Sequence, residues 1–460
     1  MSRDSTPAAG QPGVFTAFVE WFSAWSVRWI PDAMVLVLSL TVIAFFTSWA
    51  LTDHGPYELM HDWVKGFWGL LSFAMQMCLT MVTGFCVADS KPMRKLITRF
   101  VTMFTSARQA VFWFTVLVCF TWWLHWAVGM MLGIIMGREL AARNRGMGLH
   151  YPLIGAICYT ATVCSNGPSM PPGLFMATPG HFMEATVGII PVTETIFHFN
   201  LLLTNAILIL IVATLFTLMM PPKQKVVEIT KEMADEFTAV QPDPETVNAT
   251  PAEKLDRSFL LTGMVGFLGV AWILDFLITK GIGSLDLNVI NFIFLILGMI
   301  LHKSPYGYMA SVGRGIGMVG GVVVQFPFYA GIFGIIQNSG LATIIAAFFV
   351  SIANADNFAL INMYYSAFMN LFVPSNGSKF VIEAPFILPA AKELGAHIPF
   401  VLNSYTHGDL WGNLIQPFWA LPIMGAFRLK FQEMLPYGLI LFIVLGVVLS
   451  LCTYFFPMIF

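Results

Sequence analysis

Long apolar runs separated by short polar stretches dominate this chain. The runs cover 33–51, 66–88, 110–136, 151–164, 196–220, 259–279, 289–301, 315–336, 358–394, 398–421 and 435–456. About 20 apolar residues of helix cross a bilayer, and in hydrocarbon every backbone amide must find its partner inside the chain. The pattern therefore predicts membrane helices and no open sheet. Three runs are interrupted by Gly, Pro and polar residues: VCSNGPSMPPG from Val163, FVPSNGSK from Phe372, and YTHGDLWGNLIQP from Tyr405. Such residues end or break helices, so these runs predict interrupted elements. One long polar stretch, 221–257, is rich in charge and proline and reads as a linker between two halves.

The halves resemble each other. HYP at His150 recurs as HIP at His397, Tyr159-Thr160 as Tyr405-Thr406, Asn166 as Asn413, and Pro171 as Pro417, at offsets of 247, 246, 247 and 246. Gln76 and Ser90 recur as Gln325 and Ser339 at an offset of 249. Matches in order at a nearly constant offset are the signature of an internal repeat. The register pairs 110–136 with 358–394. If both are hairpins that enter and leave on one side, five crossings separate the two repeats, an odd number, and repeat two is inverted. The expected architecture is an all-α polytopic membrane protein of two inverted repeats, each with a re-entrant helical hairpin and an interrupted helix. Its parts are a cytoplasmic amino terminus (1–32), repeat one (33–220; hairpin 110–136, broken helix 151–171) and a cytoplasmic linker (221–257). A connecting helix (258–280) and repeat two (288–460; hairpin 358–394, broken helix 398–421) complete it.

Charge tests this topology independently. With the amino terminus in the cytoplasm, 19 of the 23 Lys and Arg residues fall inside, and only Lys65, Lys280 and Lys392 fall outside. Lys379 lies within a hairpin. A single crossing at 110–136 would instead put two strongly basic loops on opposite faces, against the positive-inside tendency.

Composition narrows the class. The chain is 57% hydrophobic and 10% charged, with a mean hydropathy of +0.76, whereas a soluble domain carries about 25% charged residues. Net charge is −2 with no basic tract, so no nucleic-acid partner is expected. The six cysteines lie in apolar runs without CxxC spacing and read as small hydrophobes rather than disulfides or metal ligands. No cleavable signal peptide is expected, because 33–51 is long enough to remain as a spanning helix. The chain contains no Walker A sequence, and Glu194 and His198 lie one turn apart without an HExxH motif. ATP hydrolysis, a zinc site and enzymatic activity are therefore not expected, and no cofactor is implied beyond Na⁺ or H⁺ as a coupling ion.

Inverted repeats with interrupted helices are the architecture of alternating-access carriers, whose sites form where backbone is irregular at membrane depth. Freed amides at a half-helix amino terminus favour an anion, and freed carbonyls favour Na⁺. The substrate-binding candidates are Ser165, Asn166 and Gly167 in repeat one, with Ser375, Asn376, Gly377, Ser378 and Lys379 in hairpin two. The ion-coupling candidates are Asp409, Thr406, Asn413 and His125, and Gln76, Gln325 and Glu383 are candidates for the cavity wall. Each has a plainer reading. The polar turns are also what helix ends use as caps. Lys379 either faces a substrate carboxylate or pairs with Glu383 one turn later. Asp409 either couples an ion or caps a helix break. His125 and His407 either titrate or simply pack among aromatics. The glutamines either line the cavity or bond across helices.

Further stretches carry a family resemblance. They are RWIPD from Arg28, GFWGLLSFAMQM from Gly66, ATPG from Ala177, LHKSP from Leu301, VQFPFYAGI from Val324, NSGL from Asn338, APFILPAAKELGA from Ala384 and QPFWALP from Gln416. Through them the chain resembles, over nearly its whole length, the bacterial short-chain fatty acid transporters of the ion-transporter superfamily. The resemblance implies inner-membrane uptake of acetoacetate- or butyrate-like monocarboxylates with H⁺ or Na⁺. The departures cluster at the expected site. Pro374 and Ser375 match the family's second tip, while Asn376, Ser378, Lys379 and Glu383 replace its glycine run and neutral polar residues. The first tip reads His125-Trp126-Ala127 for the family's Asn-Trp-Gly, and His407-Gly408-Asp409 stands for its Gly-Glu. A carrier of another organic anion, a dicarboxylate or an amino-acid derivative, and a membrane sensor without turnover are the competing readings. Lipid is an expected partner, and a homo-oligomer is left open.

Overall fold

A computed structural model of the chain describes residues 33–238 and 250–459, together with Trp21 and Arg28. The rest of the expected amino-terminal segment 1–32, and most of RWIPD, lies outside the described residues. Every regular element among those described is a helix. Among the described residues six helices are long and apolar enough to cross a bilayer: Met34–Leu51, Leu71–Ala88, Ala107–Leu124, Phe199–Leu218, Pro251–Thr279 and Phe431–Phe456. A bent pair, Val323–Asn338 and Leu341–Ile352, joins them at 75°. Their outer faces are apolar: Phe267 is 73% and Ile278 82% exposed, surface that lipid covers in a multi-pass membrane protein.

Both halves run through the same element order. An apolar helix (Ala33–Leu51; Leu287–His302) leads to a short helix (Pro56–Phe67; Pro305–Gly315). A long helix (Leu71–Asp89; Gly320–Asn338) and a shorter one (Lys91–Val101; Leu341–Ile352) come next. Then comes a helical hairpin, Ala107–Leu124 with Trp126–Arg143 in repeat one and Phe358–Asn370 with Asn376–Leu394 in repeat two. An interrupted helix follows, Tyr151–Thr160 with Pro171–Ala177 and Ile398–Gly412 with Leu421–Phe427. A last helix closes each half (Phe199–Leu218; Phe431–Ile459). The two halves pack on each other reciprocally: Pro56–Phe67 and Ala33–Leu51 lie on Gly320–Asn338, while Pro305–Gly315 and Leu287–His302 lie on Leu71–Asp89. Exchange of equivalent surfaces is how two-fold related units meet. The approach is closest where side chains vanish, since a Cβ on Gly66 would fall 2.7 Å from the Gly334 Cα.

The elements extend beyond the apolar runs. Hairpin one reaches Arg143 rather than ending at 136, because its polar end finds partners: Arg143 pairs with Glu139, and Arg138 stacks on Phe237 at 3.7 Å. Interrupted helix one resumes at Pro171, which is favoured in a first turn, and continues to Ala177 instead of stopping at 171. Interrupted helix two likewise runs on to Phe427. The described part of the linker is docked and partly helical (Lys231–Thr238). Glu228 accepts from the Gly146 and Gly148 amides at 2.8 and 2.7 Å, and Glu236 pairs with Arg428 at 2.5 Å. Asp89, which the sequence did not single out, gathers Arg94, Ser311 and Arg314 and so joins the halves.

Candidate functional site

Hairpin two and interrupted helix two pack backbone to backbone. A Cβ on Gly408 would sit 2.0 Å from the Met363 carbonyl oxygen, and one on Gly412 2.9 Å from that of Ala367. Small residues at those positions let the two helices close over charged groups that no water reaches. Lys379 is 0% exposed and Asp409 1%, and the Lys379 Nζ lies 2.8 Å from the Asp409 Oδ1. Nζ also donates to the Ser366 carbonyl at 2.6 Å and to its Oγ at 2.8 Å. An ammonium has three donors, and these three acceptors use all of them. Burying two ions is costly, and only such full pairing offsets the lost hydration.

The network continues from Asp409. Asn370 Nδ2 donates to the Asp409 Oδ1 and the Asn413 Oδ1, both at 3.0 Å. Gln416 Nε2 also reaches the Asn413 Oδ1 at 3.0 Å. The Tyr159 hydroxyl donates to the Asn413 carbonyl at 2.6 Å, which ties repeat one to the break in repeat two. Glu383, 1% exposed, accepts from Tyr405 at 2.7 Å and Tyr365 at 3.1 Å. The expected Lys379–Glu383 pairing is thus replaced: Asp409 takes the ammonium, and two phenols hold the glutamate. The cation also faces the Tyr405 ring at 4.9 Å.

One turn above this pair is the hairpin tip. Ser375 opens the second arm in extended conformation without capping it, and its Oγ donates to the Ser378 Oγ at 3.0 Å. Asn376 is 8% exposed, yet both its amide oxygen and nitrogen are buried without a partner. A Cβ on Gly377 would lie 3.3 Å from Pro171 and 3.5 Å from Phe73. The tip therefore meets the resumed half of interrupted helix one. Phe73 and Phe175 stand beside it with centroids 3.6 Å apart, and Phe380 stacks 6.4 Å from Phe175.

Other sequence candidates go elsewhere. Ser165 Oγ donates to the Thr162 carbonyl at 2.7 Å. Asn166 donates to the Asn403 carbonyl at 3.4 Å and accepts from Asn205 at 2.9 Å. A Cβ on Gly167 would lie 2.1 Å from the Trp123 carbonyl oxygen, so this turn presses on hairpin one. Thr406 bonds back to Leu402 at 3.0 Å within its own helix. His125 is the single residue between the arms of hairpin one; its ring accepts from the Val128 amide at 3.4 Å and lies tilted against Phe294 with centroids 4.0 Å apart. It shares no contact with the Asp409 network among those described. Gln76 donates to the Asn288 Oδ1 at 2.8 Å across the seam between the halves, and Gln325 is half-buried in its long helix. Sequence reasoning missed Ser366, Asn370 and Tyr365. Ser366 and Asn370 stand four residues apart in an apolar run, on one helical face, and that spacing was the available signal.

Charged groups sealed between a hairpin and an interrupted helix, inside a duplicated helical shell, define a multi-pass membrane protein of the transporter class. The chain belongs to the short-chain fatty acid transporter family: the family model described as "Short chain fatty acid transporter" matches residues 16–456. Two curated relatives, both named "Putative short-chain fatty acid transporter", come from Escherichia coli (strain K12) and Haemophilus influenzae. The first is 35% identical over 92% of this chain and 95% of its own, the second 35% identical over 89% and 92%. Among solved structures, the YdaH transporter of Alcanivorax borkumensis, reported to have an unusual topology, is similar in fold. It has a TM-score of 0.54 and 16% identity, over 95% of this chain and 98% of the other.

Proposed function

We propose that the chain is a secondary carrier of short monocarboxylates in a bacterial inner membrane. It works by alternating access on an ion gradient or on the substrate's own. Both hairpins are re-entrant, the repeats are inverted, and the amino terminus is cytoplasmic. That arrangement keeps 19 of 23 basic side chains on one face.

The observation that carries this reading is the Asn376 amide, buried and unpartnered at the free amino terminus of the second arm. A helix start offers unpaired N–H groups and a positive dipole end to an anion. The Asn376 side chain and the amides of Asn376, Gly377 and Ser378 receive the carboxylate, and Ser375 holds the turn. Phe73, Phe175 and Phe380 supply an apolar wall for a short alkyl tail. The wall suits a tail that ends in methyl and penalises one that ends in a second carboxylate. Lys379 lies beneath the tip without touching the carboxylate, its donors being occupied. Gly167 presses on hairpin one, Ser165 and Asn166 hold the turn beside it, and Asn413 ties the two repeats at the break.

Uptake of labelled butyrate, acetoacetate and succinate into proteoliposomes tests the assignment. Butyrate and acetoacetate are expected to accumulate and succinate to stay out. Preferential uptake of succinate, or binding of butyrate without accumulation, overturns it in favour of a dicarboxylate carrier or a sensor.

A further inference from the structure

Three oxygens surround the Lys379 ammonium: the Ser366 carbonyl at 2.6 Å, the Ser366 hydroxyl at 2.8 Å and the Asp409 carboxylate at 2.8 Å. Oxygen ligands of this kind suit hard cations, and carbonyls at half-helix ends coordinate Na⁺ in carriers. Ser366 stands four residues before the end of Phe358–Asn370, where the helix dipole also favours positive charge. One turn on, the Asn370 amide nitrogen donates to the same Asp409 oxygen at 3.0 Å, and its Oδ1 is buried without a partner.

The geometry points to Lys379 as a tethered cation that fills a built-in metal-ion cage, so that this carrier neither needs nor carries Na⁺ at that position. A covalently held ammonium neutralises Asp409 but cannot leave with the substrate. The site therefore stays balanced through the whole cycle, and the driving force comes from H⁺ or from the substrate itself. Deleting the ammonium leaves an oxygen cage with a buried negative charge. A small monovalent cation then relieves that charge, since an uncompensated buried carboxylate is strongly unfavourable.

This deepens the carrier reading and rests on it only for the uptake measurement. The first measurement uses wild-type proteoliposomes: butyrate uptake is expected to agree within about twofold between NaCl and choline chloride at equal ionic strength, because no Na⁺ site is open. The second follows thermal unfolding of the full-length Lys379→Ala protein in detergent as NaCl replaces choline chloride. The cage predicts a saturable rise in Tm of about 2–4 °C with Na⁺. It predicts none for wild type, and none for Lys379→Ala combined with Asp409→Asn, where the carboxylate is gone. Wild-type uptake that drops more than about tenfold without Na⁺ overturns the inference. So does a Lys379→Ala protein that responds to Na⁺ no more than to choline. Should that variant fold only when NaCl is present, the inference stands on the same ground. Should it fold in neither salt, the wild-type measurement decides alone. If butyrate is not transported at all, the carrier reading fails while the unfolding experiment still decides on the cage.

Discussion

Repeat one and repeat two share an order of elements and differ inside. In repeat one the hairpin meets its interrupted helix through a thiol: Cys158 Sγ donates to the Gly133 carbonyl at 3.1 Å, beside buried Leu132 and Met136. Aligned on the residues that open the second arms, His125 and Ser375, Lys379 falls on Gly129 and Glu383 on Gly133, and at the offset of 247 between the interrupted helices Asp409 falls on Thr162. The same frame thus encloses hydrocarbon in one copy and an ion pair with a phenol-bound glutamate in the other. Apolar burial contributes stability without needing a partner, whereas a buried ion is tolerated only with a complete set of bonds. The comparison separates two interiors: an apolar one in repeat one and one of paired charges in repeat two.

The severest way to break this contrast is to make the interior of repeat two as uncharged as that of repeat one, by halves. Lys379→Leu leaves Asp409 buried and unpaired, with an expected loss of about 3–5 kcal/mol of stability and of all uptake. Completing the change with Asp409→Thr is expected to restore the stability to wild type or above it, by up to about 4 kcal/mol, while uptake stays absent. Unfolding in detergent and proteoliposome uptake measure both. A doubly substituted protein as unstable as the single one would show that the ion pair holds the fold rather than the function.

The tips offer a finer cut. Asn376→Ala removes an amide that bonds to nothing in the protein, so Tm is expected to hold while KM for butyrate rises about tenfold or more, the scale of a bond to a charged group. Within the second arm of hairpin one, Gly129 has no space, since a Cβ would lie 2.4 Å from the Trp122 Cα. Gly129→Ala is expected to lower Tm instead. Equal effects of the two substitutions on KM would erase the distinction between the copies.

The seams sharpen it further. Gly408→Ala places a Cβ 2.0 Å from a carbonyl oxygen, and an overpacking cost of about 1–3 kcal/mol is expected, read by unfolding in detergent. In repeat one, Gly133→Ala brings a Cβ only to 3.3 Å from a movable Val118 methyl. Its cost is expected to fall below that of Gly408→Ala. Smallest of all, Tyr365→Phe removes one of two phenols on Glu383, at about 1 kcal/mol of stability. A larger loss than from Gly408→Ala would mean that the glutamate, not the close helix seam, sets the strength of this copy.

Much of this was legible in the chain. The apolar runs, their breaks and the constant offset between the halves predict helices, hairpins and duplication, because helix in lipid is dictated locally by length and apolarity. Lys379, Asp409, Asn413 and Glu383 stood out for the same reason, as polar groups in apolar runs. Which of them meet was not legible. Asp409 lies 30 residues beyond Lys379 and Glu383 only four, and helical spacing alone favoured the nearer carboxylate. The two Ser-Asn-Gly turns read alike, yet one presses against Trp123 and the other faces Pro171 and Phe73.

The amino-acid order by itself determined a duplicated, all-helical membrane protein, since hydrophobicity and backbone satisfaction act residue by residue and turn by turn. Only the tertiary structure decided that the ammonium belongs to Asp409 and Ser366 and that an unpaired amide sits at the tip. Those outcomes depend on how near one helix can come to another, and that distance is set by Gly408 and Gly412 against a carbonyl-lined face, a pairing across space that no local pattern records.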